Sequence, residues 1–259
     1  MPAYLSAGSP MKNWTATALF GCLLASACNG HAAETDKTTR KAWLRAGIVL
    51  DATGKLGSIE WIGTKPNDRL VTAPLEAVIR GWEFEPGKVD GVPAATETGL
   101  LLHVELHKTA EGGVSLNIDD ARTGAFSLKQ DPPAYPREQA MRGVQAHVVV
   151  IVKTDGTGQV TSATIGEYEG SNPAARSRKD FEAAALNAVK SWTYRTEQVG
   201  GNGLATTLRV PISFCFADQW CERNKIKDGM LPADASPPGM AMATDSVVRI
   251  KTRTSQAEI

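Results

Sequence analysis

The sequence predicts an α+β protein: two tandem ββαβ units, each a small antiparallel sheet packed on one helix, followed by a largely disordered C-terminal tail. Three observations predict it. Apolar residues alternate around a turn in "WLRAGIVLDATGKLGSIEWIG" (43–63) and again in "QAHVVVIVKTDGTGQVTSATIGEYEG" (145–170). A stretch with helical spacing follows each hairpin. Each helix then runs into the same phrase, a Trp and an aromatic two residues later: Trp82-Glu83-Phe84 and Trp192-Thr193-Tyr194. An internal repeat outweighs any single-residue clue to architecture.

The first unit is read over residues 41–108. Its hairpin turns at Asp51 to Gly54, "LVTAPLEAVIR" is helical and ends at Gly81, a turn passes through Pro86, Gly87 and Gly91, and "TGLLLHVELH" is a strand. The second unit is read over residues 131–217. Asp155-Gly156 sits at its hairpin turn. In "KDFEAAALNAVKSW" residues Phe181, Ala184, Ala185, Ala188, Val189 and Trp192 fall at i, i+3, i+4, i+7, i+8 and i+11, one continuous apolar stripe. "ATTLRVPISFCF" is the final strand. The Trp ends the stripe, and an aromatic two residues on points the same way once the chain is extended. Trp82, Phe84, Trp192 and Tyr194 therefore read as a structural clasp over the core, since buried rings dominate the stability of a small core.

With 28 basic and 28 acidic side chains the net charge is zero. A dedicated nucleic-acid surface needs an excess of Lys and Arg, so no nucleic-acid partner is expected. Residues 1–33 read as a signal-peptide region whose natural start is Met11: Lys12, an apolar stretch to Leu24, then small residues at Ala25 to Ala27. The apolar run falls short of the roughly 20 residues a membrane span needs. Export to the periplasm is the expectation, with an uncleaved anchor as the alternative. "LASAC" makes Cys28 a candidate for lipidation, and hence for anchoring to a membrane, although Leu24 lies one place too far from the cysteine. Cys215 and Cys221 form a close pair in "CFADQWC"; in an oxidising compartment such a pair reads as a disulfide, with two free thiols as the alternative.

"PPAYPREQAMRG" precedes the second hairpin. Together with Tyr135-Pro136, Ala140, Gly158-x-Val160, Ala-Val-x-x-Trp-x-aromatic at 188–194 and Val210-Pro211-Ile212-x-Phe214, it makes residues 132–216 resemble the C-terminal domain of the TonB family of energy transducers. The first unit, about 41–106, looks like a shortened relative without the Tyr-Pro segment. The resemblance implies a periplasmic, non-enzymatic domain without cofactors that takes up a short extended peptide, the TonB box of outer-membrane transporters, as an added strand beside its last strand. Strand addition of this kind uses unpaired backbone groups at a sheet edge. Pro211 lacks a backbone donor and belongs on an edge or a bulge. Thr207, Leu208, Arg209, Val210, Pro211 and Ile212 are therefore the candidate peptide-binding edge, and protection of that edge from aggregation is the other reading of Pro211. Between Glu34 and Arg40 only "ETDKTTR" precedes the first unit, so neither a clear inner-membrane anchor nor a Pro-rich linker is expected.

Other candidates carry less. His103, Glu105 and His107 alternate on one strand face, but positions two apart lie about 7 Å apart, so a solvated face is expected and no metal site. His147 is expected to face solvent. No nucleophile constellation or phosphate cradle is present in the motifs. The tail from about 222 to 259 contains "TDSVVRIKT", read as disorder or a short strand, with autoinhibitory pairing to the domain's own edge as a further reading. Two functions remain: capture of extended peptides from outer-membrane transporters or other envelope proteins, or a structural cell-envelope module whose sheet edges pair with each other or in a homodimer.

Overall fold

Both repeats begin from the same turn. Asp51 Oδ1 accepts hydrogen bonds from the Thr53 N–H at 2.8 Å, the Thr53 hydroxyl at 2.6 Å and the Lys55 N–H at 3.0 Å. Asp155 Oδ1 accepts from the Thr157 N–H, the Thr157 hydroxyl and the Gln159 N–H at 2.8, 2.6 and 3.0 Å. The glycine that follows each Thr has positive φ, 84° at Gly54 and 86° at Gly158. A Cβ there would stand 2.0 Å from the Phe84 carbonyl oxygen or 2.2 Å from that of Tyr194. Only glycine meets both demands, so each hairpin tip packs directly on the backbone of its own clasp.

This computed structural model describes residues 39–64, 69–108, 113–216 and 241–258, which all fall in one unit, Lys37–Ile259. In chain order, β1 (Thr39–Leu50) and β2 (Leu56–Ile62) form the first hairpin and α1 (Arg69–Arg80) follows. The short β3 (Glu83–Glu85), β4 (Lys88–Val89) and β5 (Val92–Pro93) lead into the long β6 (Thr96–Lys108). Two strands, β7 (Val114–Thr123) and β8 (Phe126–Lys129), run towards the second unit. There α2 (Arg137–Met141) precedes β9 (Ala146–Thr154), β10 (Val160–Gly170) and α3 (Ala175–Ser191). The clasp and its loop give β11 (Thr193–Arg195), β12 (Gln198–Val199) and β13 (Asn202–Gly203), and β14 (Thr206–Phe214) ends the unit. The tail supplies β15 (Met242–Ala243), β16 (Arg249–Thr252) and β17 (Gln256–Glu258).

The α+β prediction holds, with antiparallel sheets and few helices. In the first sheet β2, β1 and β6 lie side by side; the far edge of β6 is met by β12 at Thr96–Glu97 and by β7 from Leu100 to Lys108. The second sheet has the order β10-β9-β14-β15-β8-β11. Alternation places Ile48, Leu50, Leu100, Leu102 and Val104 in one core with Leu75 and Ile79 of α1. Val148, Val150, Val152, Leu208, Val210, Ile212 and Phe214 form the other with Phe181, Ala185 and Val189 of α3. The helical stripe read from the sequence is therefore the buried face of α3, although Trp192 falls just past its end.

The repeats are less separate than tandem units suggest. β12 is encoded in the second unit yet extends the first sheet. Gly47 and Gly99 face each other across β1 and β6, and added Cβ atoms there would lie 2.4 Å from Arg195 and 2.2 Å from Phe126. These two glycines leave room for Arg195 and Phe126, both of the second sheet, against β1 and β6. The expectation of a disordered tail does not extend to residues 241–258: β15 joins the second sheet, β16 pairs with β3, and β17 pairs with β7. Its composition gives no sign of this, because the strands are defined by the edges that receive them.

Candidate functional site

Each clasp is buried. Trp82 and Phe84 are 3% and 2% exposed, Trp192 and Tyr194 8% and 5%. Each indole N–H also reaches a carbonyl distant in the chain: Trp82 Nε1 donates to the Thr254 carbonyl at 3.0 Å and Trp192 Nε1 to the Asp131 carbonyl at 2.9 Å. The Tyr194 hydroxyl donates to the Val189 carbonyl at 3.1 Å, and burial pushes its pKa well above the ordinary tyrosine value.

The Trp192–Asp131 bond positions one wall of a groove. Gln130, Asp131, Pro132 and Pro133 line that wall, Pro211, Ile212 and Ser213 of β14 line the opposite one, and Trp192 also borders the space, whose volume is about 400 Å³. The gap is one strand wide. β15 lies between β14 and β8, pairing with Leu208–Arg209 on one side and Phe126 on the other, and ends there. From Val210 to Ser213 the outer edge of β14 has no strand partner among the described residues.

Strand geometry decides which backbone groups face the groove. The Thr207 carbonyl accepts the Thr244 N–H at 3.1 Å, so odd-numbered residues of β14 point outward and even-numbered ones towards β9. Pro211 and Ser213 thus present carbonyls to the groove, but only Ser213 brings a donor. Across the gap the Gln130 side-chain Nε2 is buried without a hydrogen-bond partner. An orphaned buried donor calls for an explanation, and a carbonyl arriving in the groove would satisfy it. Apolar groups in the lining come from Pro132, Pro133, Trp192, Pro211 and Ile212.

The predicted edge, Thr207 to Ile212, therefore divides. Thr207, Leu208 and Arg209 are covered by the chain's own residues 242–244, which corrects the reading of a free edge over that stretch. Pro211 and Ile212 line the groove, and Ser213, outside the predicted set, belongs with them; Val210 is buried in the core. The segment that reaches β14 is Met242–Ala243; Arg249–Thr252 of "TDSVVRIKT" goes to β3 instead. Glu197 was also missed. It is 2% exposed and accepts hydrogen bonds from the Thr98 hydroxyl (2.6 Å), the Ser246 hydroxyl (2.9 Å) and the Val247 N–H (3.0 Å). Burial raises its pKa against the opposing pull of those donors. The first unit has Gly87 at the matching place, so the repeat itself gave no signal for it.

Other predicted positions resolve as follows. His147 does not face solvent: it is 5% exposed with Nδ1 2.8 Å from the Ser213 hydroxyl oxygen, and burial lowers its pKa. His103 stacks on Trp43 with ring centroids 4.5 Å apart and meets Asp119 at 3.0 Å, while Glu105 pairs with Lys41. Among the described residues no group of His, Cys, Asp and Glu is arranged to hold a metal. Cys215 is disulfide-bonded; Cys221, Cys28 and the signal region lie outside the described residues. No helix among the described residues is long and apolar enough to cross a membrane.

Comparison with known proteins addresses the second unit. Residues 131–216 match the family of Gram-negative bacterial TonB protein C-terminal domains. Protein TonB of Xanthomonas campestris pv. campestris, strains B100 and ATCC 33913, is 33% identical over 90 residues. That match takes in 35% of this chain and only 37% of the length of either relative. The solution NMR structure of the Pseudomonas aeruginosa TonB CTD is 22% identical, covering 37% of this chain and 90% of that one, with a TM-score of 0.30. The resemblance read from the sequence is thus shown for the second unit, the clearer of the two.

Proposed function

We propose that the protein captures extended peptide segments of outer-membrane transporters, of the TonB-box type, by strand addition at the outer edge of β14. The observation that carries this is the stretch Pro211–Ser213, whose outer edge has no strand partner among the described residues and lines a groove one strand wide. The first unit supports it from within. Leu100, Leu101, Leu102 and His103 of β6 stand where Val210, Pro211, Ile212 and Ser213 stand in β14, and there an antiparallel strand, β7, fills the place. An edge of this geometry accepts a strand, and the incoming peptide runs antiparallel to β14. Gln130 supplies a side-chain donor where Pro211 has no N–H to give. On this reading the protein works in the periplasm, as a transport-related binding module without chemistry of its own.

The test is an NMR titration of the full chain with synthetic TonB-box peptides. Amide shifts centred on Val210, Ile212 and Ser213, together with the Gln130 side-chain amide, are the expected result. Shifts confined to the β10 edge, or none with any box, would sink the proposal and turn the reading to a self-paired structural module.

A further inference from the structure

The tail that covers part of β14 is fastened unevenly. Its far portion is held by the first unit and by β7: the Thr123 hydroxyl donates to the Val248 carbonyl at 2.7 Å, Arg249 to Thr252 pair with β3, the Trp82 indole holds the Thr254 carbonyl, and the Ile118 N–H donates to the Ser255 carbonyl at 2.6 Å. Its near portion is β15, a strand of only 2 residues. Outside that pairing the near portion is held by Thr244 on Thr207, by the Ala243 N–H on the Ala125 carbonyl at 2.8 Å, and by Asp245 accepting from the Thr206 hydroxyl at 3.2 Å. Between the two portions sit Ser246 and Val247, both bonded to the Glu197 carboxylate.

Building on the peptide-capture reading, we infer that residues 241–247 compete in cis with the partner strand for the outer edge of β14. The reason is register. A peptide seated antiparallel along Val210–Ser213 and continuing towards Arg209, Leu208 and Thr207 meets the positions already taken by Met242, Ala243 and Thr244. Two strands cannot bond the same carbonyl and N–H row. Either the peptide stops at Val210, or β15 leaves. Leaving is local, because β7 and the first unit hold the chain from Val248 onward and only the short near portion must lift. Glu197 is then a retaining residue: it touches neither groove wall, yet it fixes the point from which β15 projects.

Two variants of the full chain test this. Glu197→Gln keeps the oxygen shared by Thr98 and Ser246 but turns an N–H₂ towards the Val247 N–H, freeing Val247. Ala243→Pro removes the donor to the Ala125 carbonyl and blocks β15 in its sheet position, without touching Glu197 or its bond to Thr98. In both, one TonB-box peptide that binds the unaltered chain is expected to bind roughly tenfold tighter, the size of one or two net backbone hydrogen bonds. Its footprint should lengthen from Val210–Ser213 to include Arg209 and Thr207, whose amides exchange faster in the free variants than in the free parent. If the parent binds and both variants match it in affinity and footprint, competition is overturned while capture stands. If neither parent nor variants bind although those amides exchange faster, capture itself has failed and the inference falls with it.

Discussion

The last strands of the two repeats, β6 and β14, share a unit plan, a position after the clasp and one covered edge, yet their other edges are treated differently. The outer edge of β6 is closed by β12 and then by β7 from Leu100 to Lys108. Among the described residues the outer edge of β14 is closed only at Leu208–Arg209, by a short strand from the tail. The sequence difference that goes with this is small: Leu101 of β6 aligns with Pro211 of β14. The β6 edge needs an N–H at that place to complete its ladder, whereas the β14 edge does without one. Among the described residues, the edge of β6 is thus completed by the chain that follows it, and that of β14 only in part.

The comparison breaks hardest at that aligned pair. Leu101→Pro removes a donor from the β6–β7 ladder and a side chain that is 3% exposed. A loss of about 3–5 kcal/mol is expected from the combined cavity and the unpaired carbonyl. The converse change, Pro211→Leu, adds a larger side chain and a donor at a buried position whose outer edge has no strand partner among the described residues, and should cost less, about 1–2 kcal/mol. Denaturant unfolding of both variants checks this. Similar losses at the two sites would mean that the β14 edge is as fully engaged as that of β6.

A smaller effect separates the two clasps. Trp82→Phe and Trp192→Phe keep an aromatic ring but drop the indole donor, leaving the Thr254 or Asp131 carbonyl without its partner. Each should cost about 1–3 kcal/mol. Only Trp192→Phe should weaken peptide binding, because Asp131 belongs to the groove wall and Thr254 to the tail's anchor on the first unit. Equal weakening by both would show that the groove does not depend on the Trp192 contact.

How far the sequence could reach is visible in these same residues. The repeat, the two turns, the helix stripe and the Trp-x-aromatic phrase are local patterns, and each is where the alternation or spacing puts it. Pro211 pointed to an edge because a missing donor is a property of one residue, and among the described residues no strand pairs with its outer side. What the sequence did not carry was occupancy. Whether the neighbour of Leu208 is solvent or Ala243 depends on a contact 35 residues away along the chain, made by a Met-Ala segment with no alternation to announce it. Glu197 was hidden for a related reason: a lone acidic residue in a loop reads as solvated, and only the folded chain brings Thr98 and Val247 to it. His147 misled because an alternating strand does not say which of its faces is covered.

The least disruptive probe asks whether the two units really share one turn. The Thr hydroxyls first, and backbone N–H groups after them, hold the Asp51 and Asp155 carboxyls below the usual aspartate range. A depressed folded-state pKa gives stability that is complete above the ordinary aspartate pKa and disappears as pH falls through the lower folded value. Asp51→Asn and Asp155→Asn should therefore each lower Tm slightly near neutral pH. The gap between each variant and the parent should close on acidification, below the ordinary aspartate range. Because the turns lie in different units, the double variant should lose the sum of the two. Thermal melts from neutral to acid pH measure this. A penalty at one turn only, or one that persists unchanged in acid, would show that the matching hydrogen bonds do not do matching work, and that the resemblance of the repeats stops at their backbone.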